Sequence, residues 1–430
     1  MKKYFEFEKL GTDFRTETIA GITTFLAMAY ILFVNPDILS QAGMDKGAVF
    51  TATALAAALG TLVMGLVAKY PVALAPGMGL NTFFTFGVVI GMGIEWQVAL
   101  AGVLISGVVL VLLTLTRIRE IVINAIPDDL KLAVSAGIGM FIAFIGLKNA
   151  GIVVANPDTG VTLGNLMEPT VLLAIFGLFV SVILLTLGFK AGIFYGMVIT
   201  AVAGMLFGLI ELPKSIISFP PSIESTFGQS ILHLDQIFKP ELLFVILSLM
   251  FVDFFDTAGT LMAVASEAGI MENGKLPRAG RALVSDSSGT VIGAILGTTS
   301  TTSYVESTAG VAAGGKSGFT AVVTAICFLF ALFFSPLLTI VTSAVTSPAL
   351  ILVGVMMAVQ LKNINWDQFE IAVPAFFTAI MMPFTGSIAN GMAAGFVFYP
   401  ITMVLKGKAK EVHPIMWILA VCFALYFIFL

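Results

Sequence analysis

Tyr70-Pro71-Val72-Ala73-Leu74-Ala75-Pro76-Gly77-Met78-Gly79-Leu80-Asn81 is an apolar stretch with a proline near each end and two glycines before its last residues. Pro76 can open a helix but cannot lie inside one, so the chain from Tyr70 to Ala75 is expected to be extended and to lead into a helix. A second stretch of the same kind comes later. Gly297-Thr298-Thr299-Ser300-Thr301-Thr302-Ser303-Tyr304-Val305-Glu306 is polar and β-prone and runs into a short Gly-rich segment. Non-helical backbone at membrane depth is tolerated only inside protein or against a cavity. Two short strands meeting at the midplane, each followed by a half-helix, would pair and aim two positive helix ends at one point. That point is the candidate substrate site.

The surroundings of both stretches are lipid-soluble. Of the 430 residues, 58% are hydrophobic and only 11% charged, against roughly 25% charged in soluble domains. Apolar runs long enough to cross a hydrocarbon core of about 30 Å recur from Thr18 onward. Spans are expected near 17–35, 50–68, 77–92, 97–115, 130–147, 170–188, 191–210, 242–265, 282–296, 305–315, 318–341, 344–360, 369–385 and 387–405. The further apolar stretch 414–430 fits either an extra span or a helix lying on the membrane. The first run lacks a cleavage site and reads as a mature helix, so residues 1–430 form a single membrane domain. Threading the chain through fourteen spans with a cytoplasmic N-terminus leaves only Lys46, Lys148, Lys214 and Lys239 of the 21 Lys and Arg outside. That asymmetry is the positive-inside rule for a multi-pass protein of the cell membrane.

The chain also repeats itself. Leu39-Ser40-Gln41-Ala42-Gly43-Met44 resembles Ala265-Ser266-Glu267-Ala268-Gly269-Ile270; Gly60-Thr61 answers Gly289-Thr290; Leu147-Lys148-Asn149 answers Leu361-Lys362-Asn363. The matches fall in order and at similar spacing. With seven spans in each copy, about 14–211 and about 241–406, the second copy must be inverted. Inverted repeats belong to secondary transporters, where two mirror-related conformations open to opposite sides.

Most acidic residues fall in loops or at span ends, but Asp253, Asp256 and Glu306 do not. A charge near the bilayer centre costs at least about 2.5 kcal/mol, so these groups are expected to face a polar cavity. Spacing of three places Asp253 and Asp256 on one helical face, where a carboxyl can carry a coupling proton. The plainer alternative is that they only tie helices together. Asn81 fits a helix cap as well as a ligand contact. Asp286, near the start of its span, reads as interfacial or helix-pairing. Phe251, Phe254 and Phe255 are mostly packing, with one ring available to stack on a flat ligand. Cys327, Cys422, His233 and His413 supply neither a disulfide framework nor a metal centre.

At these residues the sequence resembles the nucleobase/ascorbate permease superfamily, and within it the AzgA-like hypoxanthine, guanine and adenine permeases. The segments that carry the resemblance are Phe14-Arg15-Thr16-Glu17-Thr18-Ile19-Ala20-Gly21, Gly77-Met78-Gly79-Leu80-Asn81, Asp253-Phe254-Phe255-Asp256-Thr257-Ala258-Gly259-Thr260 and Met382-Pro383-Phe384-Thr385. The resemblance implies an all-α membrane fold of fourteen spans in two inverted seven-span repeats, with strands breaking spans three and ten. Spans one to four and eight to eleven would form a core, five to seven and twelve to fourteen a gate, and a homodimer would join through the gate. It further implies purine import by proton symport, no cofactor beyond the proton gradient, no enzymatic activity and no nucleic-acid partner. Asp253 would be the base-binding carboxylate, Glu306 its partner, and Asn81 a third contact. Thr302, Ser303, Gly79 and Phe254 complete the substrate set, and Asp256 with Glu306 would serve proton coupling.

Other readings are a carrier of uracil or xanthine, an anion carrier of the same architecture, a channel, and an intramembrane aspartyl protease. Three acidic groups at facing half-helices disfavour an anion. The protease pattern of Asp residues on separate helices, one in Gly-x-Gly-Asp, does not occur.

Overall fold

The computed structural model describes residues 1–116, 125–238, 240–271 and 276–429. Arg117, Arg119, Lys239, Lys275 and Leu430 lie outside the described residues, as does the side chain of Phe255. The protein is mostly helical. Among the described residues, eight helices are long and apolar enough to cross a membrane: Phe14–Ser40, Lys46–Ala68, Trp96–Leu115, Asp128–Asn149, Pro169–Thr186, Gly318–Ile340, Ser343–Asn363 and Ile388–Leu405. Shorter apolar helices include Met78–Gly91, Gly192–Leu206 and Phe369–Thr385, and two further apolar helices are Pro240–Glu267 and Pro414–Phe429. Some expected spans are shorter as helices because part of the apolar run lies in a strand or a turn. The expected short span at 305–315, for instance, yields only the helix Ser307–Ala312.

Among the described residues four short strands, β1 (Leu74–Pro76), β2 (Val153–Asn156), β3 (Gly160–Leu163) and β4 (Thr301–Ser303), form two antiparallel pairs, β1 with β4 and β2 with β3. In the first pair Leu74 lies opposite Ser303, Ala75 opposite Thr302 and Pro76 opposite Thr301. Flanking bonds extend it, from the Gly77 amide to the Ser300 carbonyl and from the Tyr304 amide to the Ala73 carbonyl, both 2.9 Å. Each of these strands is followed by a short helix, Met78–Thr82 and Ser307–Ala312. The two closely spaced prolines disfavour helix around β1, and the threonines of β4 favour the pleated conformation.

The Gly-Thr pairs noticed in the sequence support this sheet from matching positions. Thr61 Oγ1 donates to the Leu74 carbonyl at 2.9 Å and accepts from the Leu74 amide at 2.8 Å. Thr290 Oγ1 reaches the Thr301 carbonyl at 3.2 Å. A Cβ added at Gly60 would stand 3.3 Å from Thr301 Cγ2, and one at Gly289 would stand 3.1 Å from Leu74 Cδ2. Small residues let the two helices close on the strands. Replacing Thr61 with Val, which keeps the shape, is expected to strip both Leu74 backbone groups of their partner at a cost of about 1–3 kcal/mol. Thermal unfolding of the purified protein in detergent should show a lowered midpoint; an unchanged midpoint would mean the strand does not depend on that hydroxyl.

The hairpin of β2 and β3 was not expected, since strands were read only at the two breaks. It is exposed and turns on Asn156, whose Oδ1 accepts from the amides of Asp158 (2.8 Å) and Thr159 (3.1 Å). The alternating apolar and β-branched residues on either side of this polar turn were the overlooked signal.

Around the strands two sets of helices pack. Phe14–Met28 lies on Gly318–Ala331 and Ser307–Ala312, Lys46–Val63 on Ala279–Leu296 and Gly318–Ala331, and Trp96–Leu115 on Ala279–Leu296 and Pro240–Glu267. Asp128–Asn149 lies against Ser343–Ala358 and Phe369–Thr385, Phe369–Thr385 against Ile388–Leu405, and Pro169–Thr186 against Gly192–Leu206 and Ser343–Ala358. The C-terminal stretch forms the helix Pro414–Phe429, which packs along Ile388–Leu405. Its Phe423 ring sits 5.4 Å from that of Phe396 and 6.3 Å from that of Phe251.

Candidate functional site

The turn out of β4 is held on several sides. The Ser303 amide and hydroxyl both donate to Asp286 Oδ1 at 3.0 Å. Tyr304 donates its hydroxyl to the Pro76 carbonyl at 2.6 Å, and the Ala73 amide donates to Ser307 Oγ at 3.0 Å. Glu306 follows directly and is thereby aimed at the break in the first span, where Phe14–Met28 ends and Ile31–Ser40 begins. Tyr30 sits in that break and donates to Glu306 Oε1 at 2.5 Å.

Glu306 and Tyr30 belong to the lining of a cavity between the two sets of helices. Gly77, Gly79, Asp256, Ser303 and Tyr304 line its polar side, while Ile138, Val353 and Met357 supply apolar walls from the other set. Two carboxyl groups, phenol hydroxyls and strand backbone therefore converge beside greasy walls. Such a lining can accept N–H donors from a flat heterocycle, cover its faces with apolar surface and exchange a proton with it.

Of the residues singled out in the sequence, the structure brings Asp256, Glu306, Gly79 and Ser303 to this cavity, while Asp253, Asn81, Thr302 and Phe254 are not in its lining. Asp253 is fully buried and accepts from Thr290 Oγ1 at 3.0 Å, with Thr257 Oγ1 3.5 Å away. The expected shared face is too coarse. Three residues of α-helix leave two side chains about 60° apart, enough for Asp256 to meet the cavity while Asp253 meets Thr290. Asn81 is buried with its Oδ1 accepting from the Thr299 hydroxyl, Thr302 Oγ1 pairs with Thr257 Oγ1 at 2.9 Å, and Phe254 lies in the core. Asp286 was read as interfacial or helix-pairing; its full burial rules out the first, and its bond from Thr257 Oγ1 of Pro240–Glu267 at 2.7 Å agrees with the second. Its task is to hold β4.

Tyr30 and Tyr304 were missed. Tyrosines are enriched at membrane interfaces, so a Tyr well inside an apolar run, as Tyr30 is, needs a partner for its hydroxyl. That was the available signal.

A model of the permease family matches residues 15–394. The chain belongs to that family. The resemblance to the nucleobase/ascorbate permeases is thus shown, and relatives agree with it. The permease is 62% identical to the guanine/hypoxanthine permease PbuG of Bacillus subtilis, with all of both chains covered. It is 45% identical to the adenine permease AdeQ of Escherichia coli, over 99% of this chain and 95% of that one. Among solved structures, the transmembrane domain of a cyanobacterium bicarbonate transporter, BicA, superposes with a TM-score of 0.63 at 15% identity, covering 89% of this permease and 98% of that domain. That likeness concerns the fold alone.

The permease closes one end of the crossing between Ile31–Ser40 and Ser343–Ala358 with polar ties. Lys46 Nζ lies 2.9 Å from Asp37 Oδ1, and Thr346 Oγ1 donates to Asp37 Oδ2 at 2.9 Å. Tyr30, Val353 and Met357, away from these ties, line the cavity.

Proposed function

We propose that this chain imports purine nucleobases, hypoxanthine, guanine or adenine, by proton symport with alternating access. The cavity that joins Asp256 and Glu306 to two paired strands carries this reading. A purine offers ring N–H donors that suit a carboxylate, and its exocyclic oxygen or ring nitrogens accept from backbone amides. Satisfying both inside a dry site discriminates in a way an apolar pocket cannot. The names of the relatives, which span guanine, hypoxanthine and adenine, point to the same class.

In this proposal Glu306 and Asp256 meet the base and carry the coupling proton, Gly79 offers its backbone amide, and Ser303, whose amide and hydroxyl are held by Asp286, shapes the wall of the cavity. Asp253, Asn81 and Thr302, which the resemblance also assigns to substrate, act from behind the strands. Phe254 keeps its stacking role only in a conformation that brings its ring to the cavity. The architecture proposed is two inverted seven-span repeats, a core of spans one to four and eight to eleven, and a gate of spans five to seven and twelve to fourteen. The matching roles of Thr61 and Thr290 on the paired strands support the repeat. Ties at Asp37 on one side of the cavity support alternating access. We assign the chain to the cell membrane with a cytoplasmic N-terminus, as a homodimer joined through the gate.

The fold likeness to a bicarbonate transporter favours a second reading, transport of a small anion. Two carboxyl groups in the cavity lining oppose it by repulsion. Uptake of radiolabelled hypoxanthine, guanine, adenine, uracil, sulfate and bicarbonate into cells lacking their own carriers separates the readings. Saturable purine uptake that collapses with a protonophore is expected; uptake of sulfate or bicarbonate in place of purines would sink the proposal.

A further inference from the structure

The hydroxyl of Tyr30 is the sole phenol that reaches a cavity carboxylate among the described hydrogen bonds, at 2.5 Å from Glu306 Oε1. We propose that Tyr30 is a positioning residue: it fixes one oxygen of Glu306 and leaves the other presented to the ligand. The inference rests on the reading of Glu306 as a base-binding group.

Three observations carry it. A glutamate has three side-chain torsions, and leaving them free would dilute the one arrangement that meets a substrate N–H. Tyr30 has two, and its ring is fully buried at the break of the first span, so its hydroxyl is a fixed point. Hydrogen bonds to an ionised group are shorter and roughly twice as strong as neutral ones, which makes this contact an effective anchor.

The two partners are also held together through their backbones. Gly310, in the helix that follows Glu306, lies so near the first span that an added Cβ would stand 2.6 Å from the Ala20 carbonyl. Glu17 of the same span binds the Ser317 and Thr320 hydroxyls at 2.7 and 2.6 Å. The first span and the segment after β4 thus form one body, and the tyrosine-to-glutamate distance is built into it. On the opposite side of the turn, Tyr304 is engaged with the Pro76 carbonyl rather than with Glu306. Tyr30 therefore acts through Glu306, and the contact serves aim rather than the mere satisfaction of a buried hydroxyl.

The test uses the full-length protein. Guanine binding is measured by titration calorimetry on purified protein, and uptake KM and Vmax in cells, for Tyr30→Phe, Glu306→Asp, the double variant and Glu306→Gln. Tyr30→Phe keeps the ring and should fold; its membrane abundance and melting midpoint check this. The expected result is KM and Kd raised about tenfold or more, with Vmax per transporter within about twofold of the parent. Glu306→Asp draws the carboxylate back from Tyr30, so adding Tyr30→Phe to it should cause no further loss. Unchanged Kd in Tyr30→Phe, or losses that simply add in the double variant, would overturn the inference while the role of Glu306 stands. Unchanged guanine binding in Glu306→Gln would instead remove the role of Glu306 itself.

Discussion

Glu306→Gln is expected to abolish purine uptake, lowering it by about a hundredfold to a thousandfold, with the protein still inserted in the membrane. Gln has the same shape, and its amide oxygen can still accept the Tyr30 hydroxyl that now meets Oε1. The amide then turns its NH2 group, a pure donor, toward the ligand. A purine N–H that met a carboxylate oxygen would meet a second donor. Loss of a charge-assisted hydrogen bond together with an unpaired buried donor amounts to about 3–4 kcal/mol. The variant also lacks a proton-carrying group at the cavity, so uptake should fail even at saturating substrate. Radiolabelled uptake, normalised to membrane abundance by immunoblot, reads the effect. Uptake above about a tenth of the parent level would contradict the assigned site. Abolished binding in Asp253→Asn beside normal binding in Glu306→Gln would move the base to the other side of the strands, among Thr290, Thr257 and Asp286.

The two paired strands were legible because backbone chemistry writes itself plainly. Pro71 and Pro76, five residues apart, disfavour a helix between them, the threonines from 298 to 302 favour a strand, and neither stretch can face lipid unpaired. Positions at which two side chains share a helix but serve different neighbours were less legible. Asp253 and Asp256 look alike in the sequence, and only the crossing of Ala279–Leu296 and β4 behind one of them separates a carboxylate held by Thr290 from one at the cavity. Asp286 reads in the sequence as either interfacial or helix-pairing for a related reason. Its bond to Thr257 is helix pairing, but its other partners, the Ser303 amide and hydroxyl, belong to a strand that reaches it only in three dimensions. Tyr30 carries no motif at all, since a single aromatic in an apolar run is ordinarily packing. Asp37 and Glu17 escaped notice because acidic residues at the ends of apolar runs usually meet water or headgroups. Both are buried here, Asp37 at 8% exposure and Glu17 at 0%, and both join segments about three hundred residues apart in sequence.

Glu17 sets the second large effect. Its carboxylate lies inside the first span yet serves the start of the helix Gly318–Ala331. Oε1 accepts from the Lys316 amide at 3.1 Å, while Oε2 accepts from the amides of Ser317 (3.3 Å) and Thr320 (3.2 Å) and from their hydroxyls at 2.7 and 2.6 Å. The first amides of a helix have no partner within it, and a negative charge beside them is further favoured by the helix dipole. A carboxylate from another helix thus does here what a capping residue does locally, and it pins the first span to that helix as well. Thr324 adds to the pin by donating to the Gly21 carbonyl at 2.9 Å. Glu17→Ala removes five hydrogen bonds and leaves the buried Ser317 amide and the Ser317 and Thr320 hydroxyls to find partners where a side chain has been removed, at a cost on the order of 3–5 kcal/mol. Native proteins have about 5–15 kcal/mol in total, so membrane abundance should fall severalfold and the melting midpoint in detergent should drop. Glu17→Gln, which retains one acceptor oxygen, should lie between the two. Because the same pin holds Tyr30 against Glu306, the guanine Kd of whatever Glu17→Ala protein survives should rise as well, by no more than in Tyr30→Phe. A parent-like melting midpoint in Glu17→Ala would show that these five hydrogen bonds do not hold the first span in place, and with it would go the rigid frame that fixes Tyr30 against Glu306.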